Sequence, residues 1–193
     1  TKEQFFKLFP DFVPHKIIRN DMTHYDHKYT IGLNKVKKFK NNGECSDGGF
    51  YVCDLSDIGY YLNYGENIAK ISLPDSSLIY LEKDKIKVSE LIIDNIISVE
   101  EFMNNSDKEV QLEVVKKNGY AIEYIKNADK EVQLEAVKRT GWAIQLIKNA
   151  DKEVQLEAVK QNGWVIMYIK NPDKELQLEA VKQSGWSIKF IKN

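Results

Sequence analysis

DKEVQLEAVKRTGWAIQLIKNA, residues 129–150, decides the fold of the C-terminal half, because nearly the same phrase recurs every 22 residues. Asp107, Asp129, Asp151 and Asp173 open four copies that differ at few positions. A fixed period of this length is the signature of a solenoid, in which each unit is one supersecondary element stacked on its neighbours.

Each copy reads as two short helices. Asn105, Asn127, Asn149 and Asn171 stand at the starts, and Asn is a favoured N-cap because its side-chain oxygen accepts a free N–H of the first turn. Asp follows two residues later, against the positive end of the helix dipole. Gly119, Gly141, Gly163 and Gly185 end the first helix, where a left-handed C′ residue is expected. A second helix of about two turns follows, as in 142–148. At 100° per residue both helices carry an apolar arc of about 200°. One neighbour cannot cover so wide an arc, whereas a unit on either side can. A lone unit buries too little apolar surface to offset the entropy of ordering it. Gln111, Gln133, Gln155 and Gln177 interrupt the arc at one repeated place. A buried amide needs partners, so these four are expected to form a structural ladder, bonding across units to backbone or to one another.

The array's edges carry further expectations. SVEEFM (98–103) aligns with the second helix of a preceding unit, and Ser98 with Glu101 forms a capping box. The last copy runs to Asn193 with no polar capping unit, so further repeats, a covering partner or end-to-end self-association through this uncapped repeat are expected.

Residues 1 to about 95 lack the period. Thr1 and Gln4 fit the cap of a short helix through Phe9. Strands are predicted at 49–53, 68–73, 77–82 and 87–93, with a helix at 56–64. Turn signals fall at Asn42-Gly43, Asp47-Gly48-Gly49, Tyr64-Gly65 and Pro74-Asp75. The reading is an α+β N-terminal domain followed by an all-α solenoid of 22-residue two-helix repeats: a head at 1–95, a half-repeat junction at 96–104 and four repeats at 105–193.

Composition narrows the function. The 193 residues allow one domain or two small ones, and 42% apolar residues suffice for a core. Net charge is −1 overall. Residues 1–104 hold 13 basic and 16 acidic groups, and 105–193 hold 15 and 13, so neither half has the electrostatic footprint of a nucleic-acid binder. No run of 18 apolar residues would span a membrane. The chain opens on Thr1 rather than Met, so its start is expected to be missing or processed, and no export leader is visible. Two cysteines, Cys45 and Cys53, fit a reducing compartment. The 26 lysines against two arginines, with 20 isoleucines and 15 asparagines, point to an AT-rich genome.

YTIGLNKV (29–36), ECSDGGFYVCDLSDIGYYLNYG (44–65) and ISLPDSSLIYLEKDKIKVSELII (71–93) resemble the N-terminal domain of mimivirus-type giant-virus repeat proteins. VQLEAVKQNGWVIMYIKNPDKE (154–175) is similar to helical repeats of the same viruses. The resemblance covers nearly the whole chain and implies a lineage and an architecture, but no reaction. GGFYVCDLSDIGYYLNYG (48–65) also resembles the middle of ADP-ribosyltransferase folds. That likeness implies a nicotinamide pocket needing a His or Arg (Arg19 or His24), an aromatic platform (Tyr51 or Tyr61) and a Glu (Glu82 or Glu90). No spacing selects one of each.

Other constellations carry less chemistry. His24, His27, Cys45 and Cys53 do not have the spacing of a zinc site, and Cys53 reads as a small core residue. Nothing near Cys45 supports a reactive thiol. Lys35, Lys37, Lys38 and Lys40 read as a solvated loop that could also meet phosphate or an acidic partner. The column Tyr120, Trp142, Trp164 and Trp186 reads as packing between units. Glu123, Gln145, Met167 and Lys189 occupy one exposed place with four different chemistries. That freedom means either drift or partner recognition, and these four are the candidate partner-binding residues.

The expected function is a non-enzymatic protein–protein interaction scaffold, with no catalytic residue, metal or cofactor assigned. The rivals are an NAD-binding ADP-ribosyltransferase-like head whose solenoid selects substrate, and an assembly component of a large virus particle. The expected partners are viral or host proteins, not membrane or nucleic acid, in the host cytoplasm or the virus particle.

Overall fold

The computed structural model describes residues 1–24, 27–41 and 47–191. The Asn42-Gly43 turn, Cys45 and Asn193 lie outside the described residues. The chain forms two compact units, Thr1–Phe102 and Met103–Asn193.

The first unit opens with α1 (Lys2–Leu8), held by the expected Thr1/Gln4 capping box. Its strands are β1 (Pro14–Ile18), β2 (Thr23–His24), β3 (His27–Lys28), β4 (Gly32–Lys35), β5 (Phe50–Asp54), β6 (Asn67–Ser72), β7 (Ile79–Leu81), β8 (Ile86–Val88) and β9 (Glu90–Ser98). A 3-10 helix, Leu55–Tyr64, fills the place read as a helix at 56–64, capped by the Asp54 carboxylate on the Ser56 N–H. Strands β2 and β3 pair with each other, and the other seven form one antiparallel sheet in the order β4-β9-β6-β1-β5-β8-β7.

The main core lies on one sheet face, where Phe5 of α1 joins Ile18, Phe50, Val52, Ala69, Ile71, Ile86 and Val88. The 3-10 helix buries Ile58 and Leu62 and packs on β1 and β5. The segment 87–93, read as one strand, is two. The break falls at Ser89, whose N–H donates to the Leu78 carbonyl while its hydroxyl accepts the Leu78 N–H. Strand β9 then continues to Ser98, so residues 96–98 belong to the sheet.

Strand β1 occupies the middle of the sheet, where no strand was expected from the sequence. It pairs with β6 over residues 15–18, but with β5 only at Pro14↔Asp54 and His15↔Cys53. Beyond that point β1 and β5 no longer form a ladder. Opposite residues of an antiparallel pair share a face, so Lys16, paired with Ala69, points to the core side.

Helix α2 (Val99–Asn105) begins as Ser98 predicts, its hydroxyl accepting the Glu101 N–H at 3.0 Å. Four repeats follow: α3 (Lys108–Lys117), α4 (Lys130–Arg139), α5 (Lys152–Gln161) and α6 (Lys174–Gln183), each succeeded by a 3-10 helix at 119–124, 141–146, 163–168 or 185–190. Consecutive units pack on one another. The second helix is therefore 3-10 rather than α, and Gly141, Ala143 and Ile144 of its second copy are buried.

Two details of the repeat correct the sequence reading. The N-caps are Asp107, Asp129, Asp151 and Asp173, whose carboxylates accept first-turn N–H groups at 2.8–3.0 Å. An ionised acceptor facing the helix dipole outdoes a neutral amide there. Asn127, Asn149 and Asn171 instead take left-handed backbone, with φ of 55°, 56° and 52°, a conformation that Asn tolerates better than most residues. Asn105 lies within α2.

The glycines are not left-handed C′ residues, since the caps before them (Asn118, Thr140, Asn162 and Ser184) are extended. They permit contact between backbones. A Cβ on Gly119 would lie 2.6 Å from the Ala136 oxygen, and one on Gly141 would lie 2.6 Å from the Ala158 oxygen. Gly163 meets the Ala180 carbonyl in the same way.

Further bonds recur with the period. The side-chain amides of Gln133, Gln155 and Gln177 donate to the carbonyls of Ala128, Ala150 and Pro172 at 2.7–2.8 Å, five residues earlier. That of Gln111 donates to Met103 and Ser106. Each amide thus ties the connection ahead of its helix to the helix itself, so the bonds of Gln133, Gln155 and Gln177 run within a unit and not across units as the ladder reading expected. Lys108, Lys130 and Lys152 each bridge the N-cap Asp and first-turn Glu of the next unit, at 2.5–3.6 Å.

The glycine contact predicts a contrast. Gly141→Ala forces a Cβ against a carbonyl and is expected to cost about 1–3 kcal/mol, the usual range for overpacking. Gly185 has nothing within 4 Å of that position, so Gly185→Ala is expected to leave the melting temperature nearly unchanged. Thermal unfolding of the two variants side by side checks this.

Candidate functional site

Two places in the molecule carry the candidate residues. On the array, Glu123, Gln145, Met167 and Lys189 all sit in 3-10 helices with exposed side chains. The residue before each of the first three, Ile122, Ile144 or Ile166, is buried. The backbone is thus held from within while the neighbouring side chain is unconstrained by packing. Beside Glu123, a cleft of about 400 Å³ opens between the first two repeats, with Ile122, Gln133, Leu146 and Ile147 in its lining.

The aromatic column divides. Trp142 meets Tyr168 and Trp164 meets Phe190, each in the next unit, with ring centroids 5.9 and 5.8 Å apart. The Lys189 ammonium lies 4.6 Å from the Trp164 ring centroid, within cation–π reach. Tyr120 and Trp186 are exposed. Lys189 therefore belongs both to the variable column and to the aromatic packing.

In the N-terminal unit a cavity of about 100 Å³ opens where β1 and β5 part. Its walls are His15, Lys16, Ile17, His24, Tyr51, Val52, Cys53, Tyr61, Tyr64 and Lys85. Lys16 is 5% exposed and donates to the Tyr51 carbonyl at 2.9 Å, standing in for a missing ladder bond. Its Nζ also lies 5.2 Å from the Tyr29 ring centroid. Burial lowers its pKa to about 8, so the ammonium is still charged at neutral pH. His24 is driven down to about 4 by burial and by neighbouring Lys16 and Arg19. Burial likewise holds His15 below its ordinary value, despite a contact of 3.0 Å from Nδ1 to the Val13 carbonyl. The Tyr61 hydroxyl is raised by burial and by its bond to Asp84 at 2.7 Å.

The cavity gathers His24, Tyr51 and Tyr61 from the constellation considered for nicotinamide. Arg19 is exposed and does not line it. Glu82 pairs at 3.7 Å with Lys85 of the wall. Glu90 is held elsewhere by Lys35 at 2.9 Å and by the Ser76 hydroxyl. Sequence reading missed Lys16 and His15 because it missed β1. The only signal was the apolar pair Ile17-Ile18 after Pro14.

Of the residues considered for zinc, Cys53 lines the same cavity as His24 but is buried, its thiol pushed up to about 12 by desolvation, while His27 packs on Tyr29 and Phe50. Among the described residues no three His, Cys, Asp or Glu side chains converge as a metal site. Lys40 pairs with Asp47, and Lys37 and Lys38 are exposed. No helix among the described residues is long and apolar enough to cross a membrane.

Comparison with known proteins agrees with the array. The family described as "Domain of unknown function (DUF4116)" matches residues 107–150, 129–172 and 151–193. Each match spans two consecutive repeats, and successive matches share one. Three proteins of Acanthamoeba polyphaga mimivirus, each bearing the name "putative ankyrin repeat protein", are similar to this chain. They are 46% identical over 63 residues, 43% over 61 and 37% over 73, which is 31%, 31% and 36% of this chain. The chain covers 10%, 18% and 22% of their respective lengths. No solved structure matches. The resemblance to mimivirus-type repeat proteins holds over the repeat region. The 22-residue unit is shorter than the ankyrin period of about 33 residues, so the array is a distinct helical repeat.

The buried lysine gives a pH signature. Its folded pKa of about 8 lies below its ordinary 10.5, so between these limits the unfolded chain binds more protons and stability rises with pH. Below pH 8 both states are charged, and the folded state bears the desolvation penalty, about 3 kcal/mol for a shift of this size. Lys16→Met is therefore expected to be more stable than the parent at pH 7, with a margin that shrinks from pH 8 to pH 10.5. Denaturant melts across that range measure it.

Proposed function

We propose that this chain is a viral protein–protein interaction scaffold that binds its partners through the solenoid surface. The observation that carries the reading is the column Glu123, Gln145, Met167 and Lys189, which is exposed in every unit and different in every unit. Around it the backbone repeats closely. Solenoids present extended surfaces of this kind, and a fixed frame bearing changeable side chains is how one architecture reaches different partners. The cleft beside Glu123 adds a concave, partly apolar anchor point. The partner is a viral or host protein, met in the host cytoplasm or the virus particle.

A second reading is favoured by one observation. His24, Tyr51 and Tyr61 line one cavity, with Glu82 next to its Lys85, which suits an NAD-binding head with the solenoid selecting substrate. Assembly by end-to-end association draws on another, the exposure of Leu178, Trp186 and Ile188 in the last repeat.

Replacing Glu123, Gln145, Met167 and Lys189 together by Ala is expected to abolish capture of a defined partner from virus-infected amoeba lysate, with the melting temperature little changed. Retention of the partner by this variant sinks the surface assignment. NAD consumption by the purified chain that falls on Glu82→Gln transfers the function to the head.

A further inference from the structure

We infer that the open face of the last repeat, carried by α6 and the 3-10 helix at 185–190, is a docking site for the leading helix of a 22-residue repeat on a different polypeptide. The inference rests on the same exposure that end-to-end assembly draws on, and it names the occupant.

This face recurs once per repeat, and three of its four copies are covered. Ile122, Ile144 and Ile166 are 3%, 5% and 1% exposed, whereas Ile188, at the same place, is 64% exposed. Gly119, Gly141 and Gly163 lie buried against alanine carbonyls of the next repeat, whereas Gly185 meets nothing within 4 Å. Trp142 and Trp164 meet rings of the next repeat, whereas Trp186 is 73% exposed. Lys108, Lys130 and Lys152 each bridge an Asp and a Glu of the next repeat. Lys174, next in that column, has no acid partner among the described residues.

An exposed apolar patch with a polar rim marks an interaction site. What covers three copies of the face defines what fits the fourth. The occupant is a helix that opens Asp-Lys-Glu, carries an alanine where Ala158 and Ala180 stand, and is followed by a ring where Tyr168 and Phe190 stand. Its two acids answer Lys174, its alanine leaves room for the Gly185 backbone, and its ring packs on Trp186.

A second copy of this chain has no such helix to offer. The leading helices α4, α5 and α6 already pack on the 3-10 helix of the repeat before. In α3, Val114 replaces the alanine and is itself fully buried. The occupant therefore comes from another protein bearing this repeat. Repeats of this kind occur on several polypeptides of one virus, since three mimivirus proteins are similar to this chain over its repeat region.

The test is sedimentation velocity and calorimetric titration of the full chain with a polypeptide of the sequence 151–193 carrying Gly185→Leu. This probe opens Asp-Lys-Glu, holds Ala158 and Tyr168, and has its own outer face blocked. A one-to-one complex is expected. Gly185→Leu in the full chain is expected to weaken it at least tenfold with the melting temperature unchanged, since the added side chain enters open space. Lys174→Ala is expected to weaken it severalfold and to reduce its sensitivity to salt. The inference is overturned if the probe does not bind at millimolar concentration, or if both variants bind like the parent. It is equally overturned if the full chain alone forms dimers that Gly185→Leu abolishes, the result that self-association would give. None of these outcomes bears on the column Glu123, Gln145, Met167 and Lys189.

Discussion

The array depends on one close approach, a glycine backbone lying against the carbonyl of an alanine in the next unit. The contact excludes a Cβ at Gly119, Gly141 and Gly163. It also brings a small residue to the facing helix, where Ala136, Ala158 and Ala180 are fully buried. The first helix has no glycine-led 3-10 helix of an earlier repeat before it, and Val114 stands at that place. Gly and Ala are thus two halves of one spacing rule. The 3-10 conformation follows from the same economy, since a short segment that must both reverse the chain and bury its apolar side chains gains from the tighter helix.

Close stacking makes the connections between helices expensive unless their polar groups are paired. The repeat meets this locally. Asp caps the helix, Asn takes the left-handed turn, and the Gln amide closes on a carbonyl five residues back. The lysine bridges then join units at the surface. Each ion pair there is half-exposed and weak alone, but each lysine meets two carboxylates. Hydrogen bonds to these carboxylates raise Lys130 and Lys152. Asp151 is lowered by its bond to Lys130, and Asp173 by the Leu176 N–H and then by Lys152. The sign is the same on both sides. The bridges favour the folded array over a broad middle range, and lose that effect as the aspartates protonate in acid or the lysines deprotonate in alkali.

The repeat was legible because a 22-residue period survives any misreading of its parts. Its grammar was harder to parse. Asn and Asp are both good caps and both good turn formers, so composition alone could not say which role each took; the left-handed φ of Asn149 and the hydrogen bond that the Val154 N–H donates to Asp151 settle it. Gly read as a turn residue because a sequence shows what a glycine permits along its own chain, not what approaches from another unit. The exposed column could be computed from helical angle, since it needs no knowledge of neighbours. In the head, segments of four or more apolar or β-branched residues gave themselves away, as at β5 and β6. Strand β1 did not, because PHKII breaks the alternation with a proline, a histidine and a lysine.

That break is itself informative. A lysine in the middle strand of a sheet is a poor choice for stability, since burying its charge opposes folding and a methionine would fill the same space. Its amine occupies the carbonyl that Tyr51 would otherwise offer to a ladder partner, so Lys16 accompanies the gap between β1 and β5. Strand pairing would satisfy both edges with backbone alone. A sheet that instead parts in its middle and lines the parting with two ammonium groups, two imidazoles and three phenols forgoes stability in a region where side-chain chemistry becomes accessible. The two halves of the chain thus solve opposite problems. In the array every unit closes its backbone so that the surface is free to vary. In the head the backbone is left open at one point, and side chains fill the gap.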